Sequence, residues 1–312
     1  MTRKFNWEKK GLIFCAKYES EWSKTHSALP TPVLLSPERL RIFYATRDIE
    51  QKSRISYIDV DPVDPARVLY VHDKPVLDIG ELGAFDDRGL TSSFVLGSGG
   101  EFHFYYNGYN IGSPARYRIA IGKAVSLDRC NTFRKAHQGP VMDRSIADPC
   151  GCATPFIIFE KGIFRMWYTS FYKWEWIKGE AEPFYRISYA ESRDGLSWDP
   201  KAVCIDASGD EGGIVRPTVV KSDRYYMWYS VRKKTGYRDQ FNATYRIGFA
   251  VSDDGLAWER RDSESGVAPS ADGWDSEMTA YPFVLKMNEK LLMFYNGNGF
   301  GKSGFGYAES PI

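Results

Sequence analysis

Residues 164–170 read FRMWYTS and residues 185–192 read YRISYAES, with a long loop between them. Each run is short, rich in aromatic and β-branched residues, and bounded by Gly, Asp, Ser or Pro, which is typical of β-strands. A third such run, PFII at 155–158, precedes them. The segment therefore predicts a three-stranded antiparallel meander.

The same three runs occur five times along the chain. The aromatic run recurs as RIFYATR (41–47), FHFYYNG (102–108), YYMWYSV (225–231) and LLMFYNG (291–297). The run after it recurs at 53–57, 117–126, 245–252 and 304–310, and the run before it at 32–35, 93–96, 217–220 and 282–285. Repetition of this kind indicates units that bury their apolar faces against one another.

A fourth, outer strand follows the turn DGLSW (194–198) or DGLAW (254–258) in two copies, but the fifth copy ends without one. Residues 7–14, WEKKGLIF, have the pattern of WDPKAVCI at 198–205 and supply it. A ring closed in this way leaves no long unpaired sheet edge between its first and last units. We read the SxDGxxW segments themselves, Ser192–Trp198 and Ser252–Trp258, as structural turns whose Trp packs between units.

The fold class predicted is an all-β, five-bladed β-propeller of four-stranded antiparallel blades, with the N-terminal strand closing the last blade. It forms a single domain over 1–312; an open β-sandwich is the alternative. The predicted blades span 29–74, 85–142, 148–206, 211–268, and 277–312 together with 5–16.

The composition excludes several classes of partner. With 41 Lys+Arg against 40 Asp+Glu, the net charge of +1 gives no reason to expect a nucleic acid. No stretch approaches the ~20 apolar residues of a membrane helix, and the N-terminus does not read as a signal peptide. Five sparse cysteines suggest reduced thiols and a cytoplasmic location. Cys150 and Cys152 have no matching Cys/His pair nearby, so we predict no zinc site.

Residues just before each inner strand should converge on the propeller axis. Different side chains occupy these positions in the five copies, as expected when a repeated scaffold carries a single site. Single acids before strands are ordinarily solvated loop residues, but acids from four blades predict a polar small-ligand pocket. The side chains in these windows that we assign to the site are Asp87, Asp148, Glu211, Glu277, His26, Arg216 and Tyr281.

The ends of the second strands should face the same mouth and add polar groups. These are Arg47, Asn107, Arg232, Asn296 and Asn298. The long loop at 170–184 carries Trp174 and Trp176, which suit the C–H faces of sugar rings. Packing of this loop against the rim is the alternative reading for the two tryptophans.

Several long strings resemble the five-bladed propellers of glycoside hydrolase families 43, 32 and 130. More closely, they resemble an uncharacterised branch often encoded in bacterial surface-polysaccharide gene clusters. The strings are THSALPTP (25–32), GELGAFDDRG (80–89), DRSIADP (143–149), MWYSVR (227–232), GWDSEM (273–278) and YNGNGFGKSGFG (295–306). The resemblance implies a fold, but it covers hydrolases, phosphorylases and transferases alike.

The resemblance to family 43 implies three catalytic residues: a base, a modulating Asp and a Glu acid. This chain has His26 where that family carries its base, so the triad does not transfer literally. An inverting hydrolase needs an acid and a base roughly 6.5–9.5 Å apart. We assign Asp87 as base or water-holder and Glu277 as the acid, with Glu211 as its alternative. Asp148 would bind sugar or tune a pKa, while Arg216 and His26 would recognise an anionic group or a hydroxyl.

Three functions remain open. The first is a glycoside hydrolase acting on an oligosaccharide or surface-polysaccharide precursor. The second is a phosphorylase or glycosyltransferase-like enzyme using phosphate or a sugar phosphate, and the third is a non-catalytic carbohydrate-binding propeller. Arginines near the mouth favour the second, because guanidinium groups bind phosphate bidentately: Arg47, Arg88, Arg144, Arg216 and Arg232. We expect no required cofactor, although a ring of acids permits a Ca²⁺ or other ion in the axial channel.

Overall fold

A computed structural model describes residues 4–312, and within that range the chain forms twenty β-strands. In chain order these are β1 (Glu8–Phe14), β2 (Thr25–Ser36), β3 (Arg39–Arg47), β4 (Ser53–Val60), β5 (Val68–Val71), β6 (Gly89–Ser98), β7 (Glu101–Ile111), β8 (Tyr117–Ser126), β9 (Arg134–Lys135), β10 (Gly151–Glu160), β11 (Ile163–Ile177), β12 (Glu180–Ser192), β13 (Asp199–Ile205), β14 (Glu211–Lys221), β15 (Tyr225–Lys233), β16 (Arg246–Ser252), β17 (Glu259–Arg260), β18 (Ala280–Met287), β19 (Lys290–Asn296) and β20 (Phe305–Pro311). A 3₁₀ turn at Asp262–Glu264 and a short helical turn at Asn298–Gly301 complete the regular structure.

The strands form five antiparallel meanders of four strands each. Sheet 1 is β2–β5, sheet 2 is β6–β9, sheet 3 is β10–β13, and sheet 4 is β14–β17. Sheet 5 consists of β18, β19, β20 and β1. Sheets 1 and 2 are joined by one parallel residue pair, Ser53 with Gly89, and sheets 3 and 4 by another, Tyr185 with Gly213. The expected all-β, antiparallel class is confirmed.

The N-terminal strand completes the last sheet, as the sequence predicts. β1 lies antiparallel to β20, with Glu8 opposite Glu309 and Phe14 opposite Phe305. The segment leading into β1 packs against sheet 4, where the Phe5 ring lies 5.1 Å from the Trp228 ring. The two ends of the chain therefore share one sheet.

The five first strands contact one another in a closed order. β2 contacts β6, β6 contacts β10, β10 contacts β14, β14 contacts β18, and β18 contacts β2 again. Aromatic rings fill every boundary between neighbouring sheets, which explains why the aromatic run repeats. The ring pairs are Phe43–Phe104, Tyr105–Trp198, Trp167–Trp258, Phe5–Trp228 and Phe14–Tyr44.

In three of the five sheets, the tyrosine that closes the aromatic run anchors the loop that enters the same sheet. Its hydroxyl donates to an Asp that lies 20 residues earlier in sheets 2, 3 and 5. These pairs are Tyr106–Asp86 (3.0 Å), Tyr168–Asp148 (3.0 and 3.1 Å) and Tyr295–Asp275 (2.9 Å). An aspartate held in this way keeps its loop against its own sheet.

The residue after that tyrosine ties its sheet to the next one. Its side-chain oxygen accepts a hydrogen bond from a backbone N–H of the following first strand, where a bulge leaves that N–H unpaired. The bonds are Thr154 N to Asn107 (2.6 Å), Arg216 N to Thr169 (3.1 Å), Tyr281 N to Ser230 (2.7 Å) and Leu29 N to Asn296 (2.9 Å). The repeated motif is thus a fastening between sheets.

The two DG turns make equivalent fastenings at the outer edge. The carbonyl of Gly195 accepts the Tyr105 hydroxyl at 2.9 Å, and that of Gly255 accepts the Trp167 indole N–H at 2.7 Å. The predicted structural role of these segments is confirmed.

Candidate functional site

A cleft of about 700 Å³ opens where the first strands begin and where the second-to-third-strand loops meet. All five sheets contribute to its wall, through residues such as Arg47, Tyr109, Phe171, Tyr237 and Tyr281. It is therefore a central cavity rather than a crevice between two neighbouring sheets.

Cations dominate the charged groups of this cleft. Its lining includes Arg47, Arg88, Arg116, Arg238 and Lys302, together with His26. Glu50 is the one carboxylate that lines it among residues 4–312, and Lys52 holds that group at 2.6 Å.

Three of these cations have no protein partner. Across the described chain, the side chains of Arg47, Arg88 and Lys302 make no hydrogen bond and no ion pair. The pKa of Glu50 is lowered mainly by Lys52 and also by Arg88, so one of these charges is partly compensated; the cleft keeps a net positive charge, which favours an anionic ligand.

The other two arginines are tied to glutamates of sheet 3. Arg238 holds both oxygens of Glu182, and Arg116 pairs with Glu180 and lies 4.0 Å from Glu182. The Tyr237 hydroxyl also donates to Glu182, at 2.7 Å. Burial opposes ionisation of Glu182, but the bonds from Arg238 and Tyr237 outweigh it, so its pKa lies below the ordinary value.

Six tyrosines also line the wall. They are Tyr109, Tyr117, Tyr185, Tyr237, Tyr245 and Tyr281. Burial raises the pKa values of Tyr117 and Tyr245 well above the ordinary value, so their hydroxyls stay protonated. Rings that combine an apolar face with a hydroxyl suit the two surfaces of a sugar.

His26 stands in the cleft as a neutral base. Its ring nitrogen Nδ1 lies 2.8 Å from the Thr25 hydroxyl, and its backbone has a φ of 66°. Burial lowers the pKa of His26 to about 3, with further contributions from Arg47 and Lys302. An uncharged imidazole beside two cations serves as a hydrogen-bonding group for a ligand.

Arg216 lies beneath the floor of the cleft rather than in its wall. From sheet 4 its guanidinium donates to the Pro30 carbonyl of sheet 1 at 2.8 Å and to the Ser92 carbonyl of sheet 2 at 3.2 Å. Its Nε has no partner within residues 4–312, and no carboxylate is bonded to it. Burial lowers the pKa of Arg216 to about 9, so the group stays charged at neutral pH. The axis therefore carries a buried positive charge without a counter-ion.

Backbone strain marks the same floor. Thr154, Arg216 and Tyr281 each precede a proline and have φ values of 47°, 57° and 56°. Such left-handed conformations are rare for residues with branched or bulky side chains and cost of order 1–3 kcal/mol each. The fastenings from neighbouring sheets hold them in place.

The structure does not bring the four assigned carboxylates together in the cleft. Asp148 is fully buried against Tyr168, and Ser145 donates to its second oxygen at 3.1 Å. One oxygen of Asp87 accepts the Gly83 N–H at 2.9 Å, while its other oxygen is buried without a partner. Both side chains sit outside the lining of the cleft.

The two assigned glutamates also lie outside it. Glu211 is clamped by Arg260 through both oxygens, at 2.7 and 2.8 Å. Burial opposes ionisation of Glu211, but Arg260 and Ser208 outweigh it and lower its pKa, which disfavours a proton donor. Glu277 is exposed, and its side chain has no bonded partner within the described chain.

Of the assigned binding residues, His26, Arg47 and Tyr281 line the cleft. Asn107 and Asn296 fasten sheets together, and Asn298 accepts the backbone N–H groups of Glu277 and Met278. Arg232 is buried and donates to Tyr185 at 2.6 Å, so it supports the wall from behind. Trp174 and Trp176 line a neighbouring groove instead.

Sequence reasoning missed Arg116, Arg238 and Lys302 as lining residues. They stand in loops of unequal length, so no repeat aligned them. Their position between second and third strands was the available signal, as it was for Arg47.

The ion considered above for the axial channel stays a prediction. No group of three or more His, Cys, Asp or Glu side chains among residues 4–312 is arranged to hold a metal. Three of the acids that precede the first strands, Asp86, Asp148 and Asp275, accept hydrogen bonds from tyrosines, and two of them also pair with lysines, Asp86 with Lys135 and Asp275 with Lys9. In the same range, no helix is long and apolar enough to cross a membrane.

Solved structures with this fold come from carbohydrate-active enzymes. A thermostable family-43 glycoside hydrolase aligns with a TM-score of 0.67 at 18% identity, covering 94% of this chain and 91% of that one. A structure from the GH130 family, whose title names mannoside phosphorylases and hydrolases of β-1,2 mannosidic linkages, aligns with a TM-score of 0.70 at 16% identity, over 98% and 94%. The chain shares the fold of these two solved structures.

Two relatives match the chain over almost its whole length. The uncharacterised proteins MT1551 and Rv1502, from two strains of Mycobacterium tuberculosis, are each 35% identical to it over 310 residues, 97% of this chain and 98% of theirs. The chain belongs to the family of these mycobacterial proteins. A 1,2-β-oligomannan phosphorylase of Thermoanaerobacter sp. is 29% identical over 146 residues, 46% of this chain and 47% of that enzyme. No protein-family model matches the sequence.

Proposed function

We propose that the protein is a five-bladed propeller enzyme whose central cleft binds a phosphate group together with a saccharide, acting as a phosphorylase or sugar-phosphate transferase. Each four-stranded sheet is one blade, and the five blades form one domain. The observation that carries the proposal is the charge of the cleft: Arg47, Arg88 and Lys302 are unpaired, and the lining carboxylate Glu50 is held by Lys52.

Electrostatics beneath the cleft supports the same ligand class. The guanidinium of Arg216 lies buried and uncompensated below the floor, so it adds to the positive potential inside the cavity. Phosphate satisfies this field better than a neutral sugar does, because it carries charge and accepts several hydrogen bonds at once.

The arrangement favours phosphorolysis over two-carboxylate hydrolysis. Inverting hydrolysis requires one carboxyl group to protonate the leaving oxygen and a second to activate water. In phosphorolysis a phosphate oxygen attacks the anomeric carbon, the glycosidic C–O bond breaks, and the proton of hydrogen phosphate ends on the leaving oxygen. The products are a sugar 1-phosphate and a shortened saccharide, and no carboxylate has to activate water.

Turnover with and without phosphate tests the proposal. Purified protein would be incubated with a panel of oligosaccharides, including β-1,2-mannobiose, in buffers with and without inorganic phosphate. The reverse reaction would be followed as phosphate release from sugar 1-phosphates that requires an added acceptor saccharide. We expect turnover that requires phosphate. Equal rates without phosphate would establish a hydrolase, and saccharide binding without turnover in either direction would establish a binding protein; each result overturns the proposal.

A further inference from the structure

A second groove, of about 340 Å³, lies beside the central cleft. Its walls come from the turn that joins β7 to β8, the loop before β10 and the β11–β12 hairpin. Tyr117 lines both this groove and the central cleft, so the two cavities adjoin at that ring. A ligand longer than one sugar can therefore occupy both.

The groove has an aromatic wall. Trp176 is 68% exposed, which is unusual for a side chain of this size. Trp174 is half-buried, and its ring lies 5.3 Å from that of Tyr117 in an edge-to-face arrangement. Tyr117 thus fixes the orientation of Trp174, while Trp176 keeps its face free for the apolar side of a sugar ring.

The groove also carries positive charge. Arg118 makes no hydrogen bond or ion pair within residues 4–312, and Arg144 Nε stands 3.9 Å from Asp143 Oδ1, beyond hydrogen-bonding distance. Glu175 lines the groove too, but Lys173 neutralises its carboxylate. Within the described chain, Arg118 is therefore free to meet a ligand, and Arg144 is held only by this long ion pair with the exposed Asp143.

We infer that this groove binds an anionic saccharide unit, with its ring against Trp176 and Trp174 and its charged substituent at Arg118 and Arg144. The inference deepens the proposed function and rests on it, because the unit in the groove would belong to the saccharide whose reacting end lies in the central cleft. The substrate class is therefore an acidic oligosaccharide, whose charge is a carboxylate or a phosphate ester.

Fluorine NMR of protein labelled with fluorotryptophan tests the inference. Signals of Trp174 and Trp176, assigned with Trp→Phe variants, would be followed during titration with glucuronate, galacturonate, mannuronate, glucose 6-phosphate and mannose 6-phosphate. Glucose, galactose and mannose are the neutral counterparts. We expect both signals to shift with at least one anionic sugar at concentrations about tenfold below its neutral counterpart. The uronate and phosphate arms identify the charged group.

Matched variants separate the groove from the cleft. Arg118→Gln should lower the affinity for the anionic sugar about tenfold, whereas Arg47→Ala should leave the tryptophan shifts unchanged. Both targets line cavities without protein partners, so neither change removes a folding contact. The inference fails if no anionic sugar moves the two signals, or if neutral sugars move them equally well. If the tryptophan signals respond but inorganic phosphate does not bind in the central cleft, the inference about the groove holds and the proposed function fails.

Discussion

Two sets of loops lie at the mouth of this propeller, and they use their charges in opposite ways. The loops that precede the first strands are rich in acids, yet Asp86, Asp148 and Asp275 each turn back to a tyrosine of their own sheet. The loops that join second and third strands carry Arg47 and Lys302, whose charges reach the cavity unpaired. These three acids hold the scaffold, whereas the two cations, with Arg88 from an acidic loop, are available to a ligand.

This difference shows why the charge of a loop is a poor guide to its role. A carboxylate next to a repeated tyrosine has an internal partner, and burying it there organises the sheet. An arginine in a loop of unique length has no repeated partner. The variants below test this division, from the largest expected effect to the smallest.

Replacing Asp148 with Ala should cost the most stability. The change leaves the buried Tyr168 hydroxyl and the Ser145 hydroxyl without their acceptor, so we expect the free energy of unfolding to fall by about 2–4 kcal/mol. Urea denaturation measures it. Asp143→Ala, in the same loop but exposed, is the control and should change stability by less than about 0.5 kcal/mol. An Asp148→Ala protein of normal stability would place this carboxylate outside the scaffold.

Lowering the pH should reduce the free energy of unfolding because His26 is buried as a neutral group. Its pKa is about 3 when folded against 6.5 ordinarily, so the unfolded chain binds the proton first as pH falls. Stability is complete above about pH 6.5 and declines down to about pH 3. One proton corresponds to about 1.4 kcal/mol per pH unit, so His26→Gln should remove about 2 kcal/mol of the loss between pH 6 and pH 4.

The matched control for this titration is His137→Gln, because His137 is exposed. It should reproduce the wild-type dependence of stability on pH. Identical curves for wild type and His26→Gln would contradict a buried, neutral His26. Denaturant midpoints collected across the pH range provide the measurement.

Removing a cleft cation should affect binding but not folding. Arg47→Ala removes an unpaired charge from the wall, so we expect the affinity for inorganic phosphate to fall about tenfold, or about 1.4 kcal/mol, with unfolding unchanged. Titration calorimetry measures the affinity. Arg39→Ala, at the opposite end of β3, is the matched control. Equal phosphate affinities for the two variants would contradict binding of phosphate in the cleft.

Glu277→Gln should have the smallest effect. This side chain is exposed and unpaired within the described chain, so we expect turnover within about twofold of wild type. The assay is the phosphate-dependent turnover described above. A hundredfold loss would restore Glu277 as the acid and reverse the comparison between the two sets of loops.

The sequence predicted the architecture well because the architecture repeats. In four of the five aromatic runs a polar residue follows the closing tyrosine, and these residues form the fastenings, such as those at Asn107 and Asn296. The strand at 7–14 was visible for the same reason, since its pattern matches 198–205.

The site was harder to predict, because the sequence does not show in which direction a side chain points. Asp148 reads as a candidate until Tyr168 is noticed at a spacing shared with Asp86–Tyr106 and Asp275–Tyr295. That spacing was present in the stacked runs and would have identified the pairs as scaffold. Arg238 and Lys302 had no such counterpart, so only the assembled fold places them in the cleft.

The pairing of β1 with β20 gives this fold a built-in order of assembly. Residues 8–14 are synthesised long before their partner strand, Phe305–Pro311. Joining strands so distant in the chain carries a loop-closure entropy cost, so we expect this pairing to form late in folding. Sheet 5 also supplies Tyr281, Phe300 and Lys302 to the cleft wall. A growing chain that lacks sheet 5 therefore has four walls of the cavity, and we expect the complete cavity only after that sheet has formed.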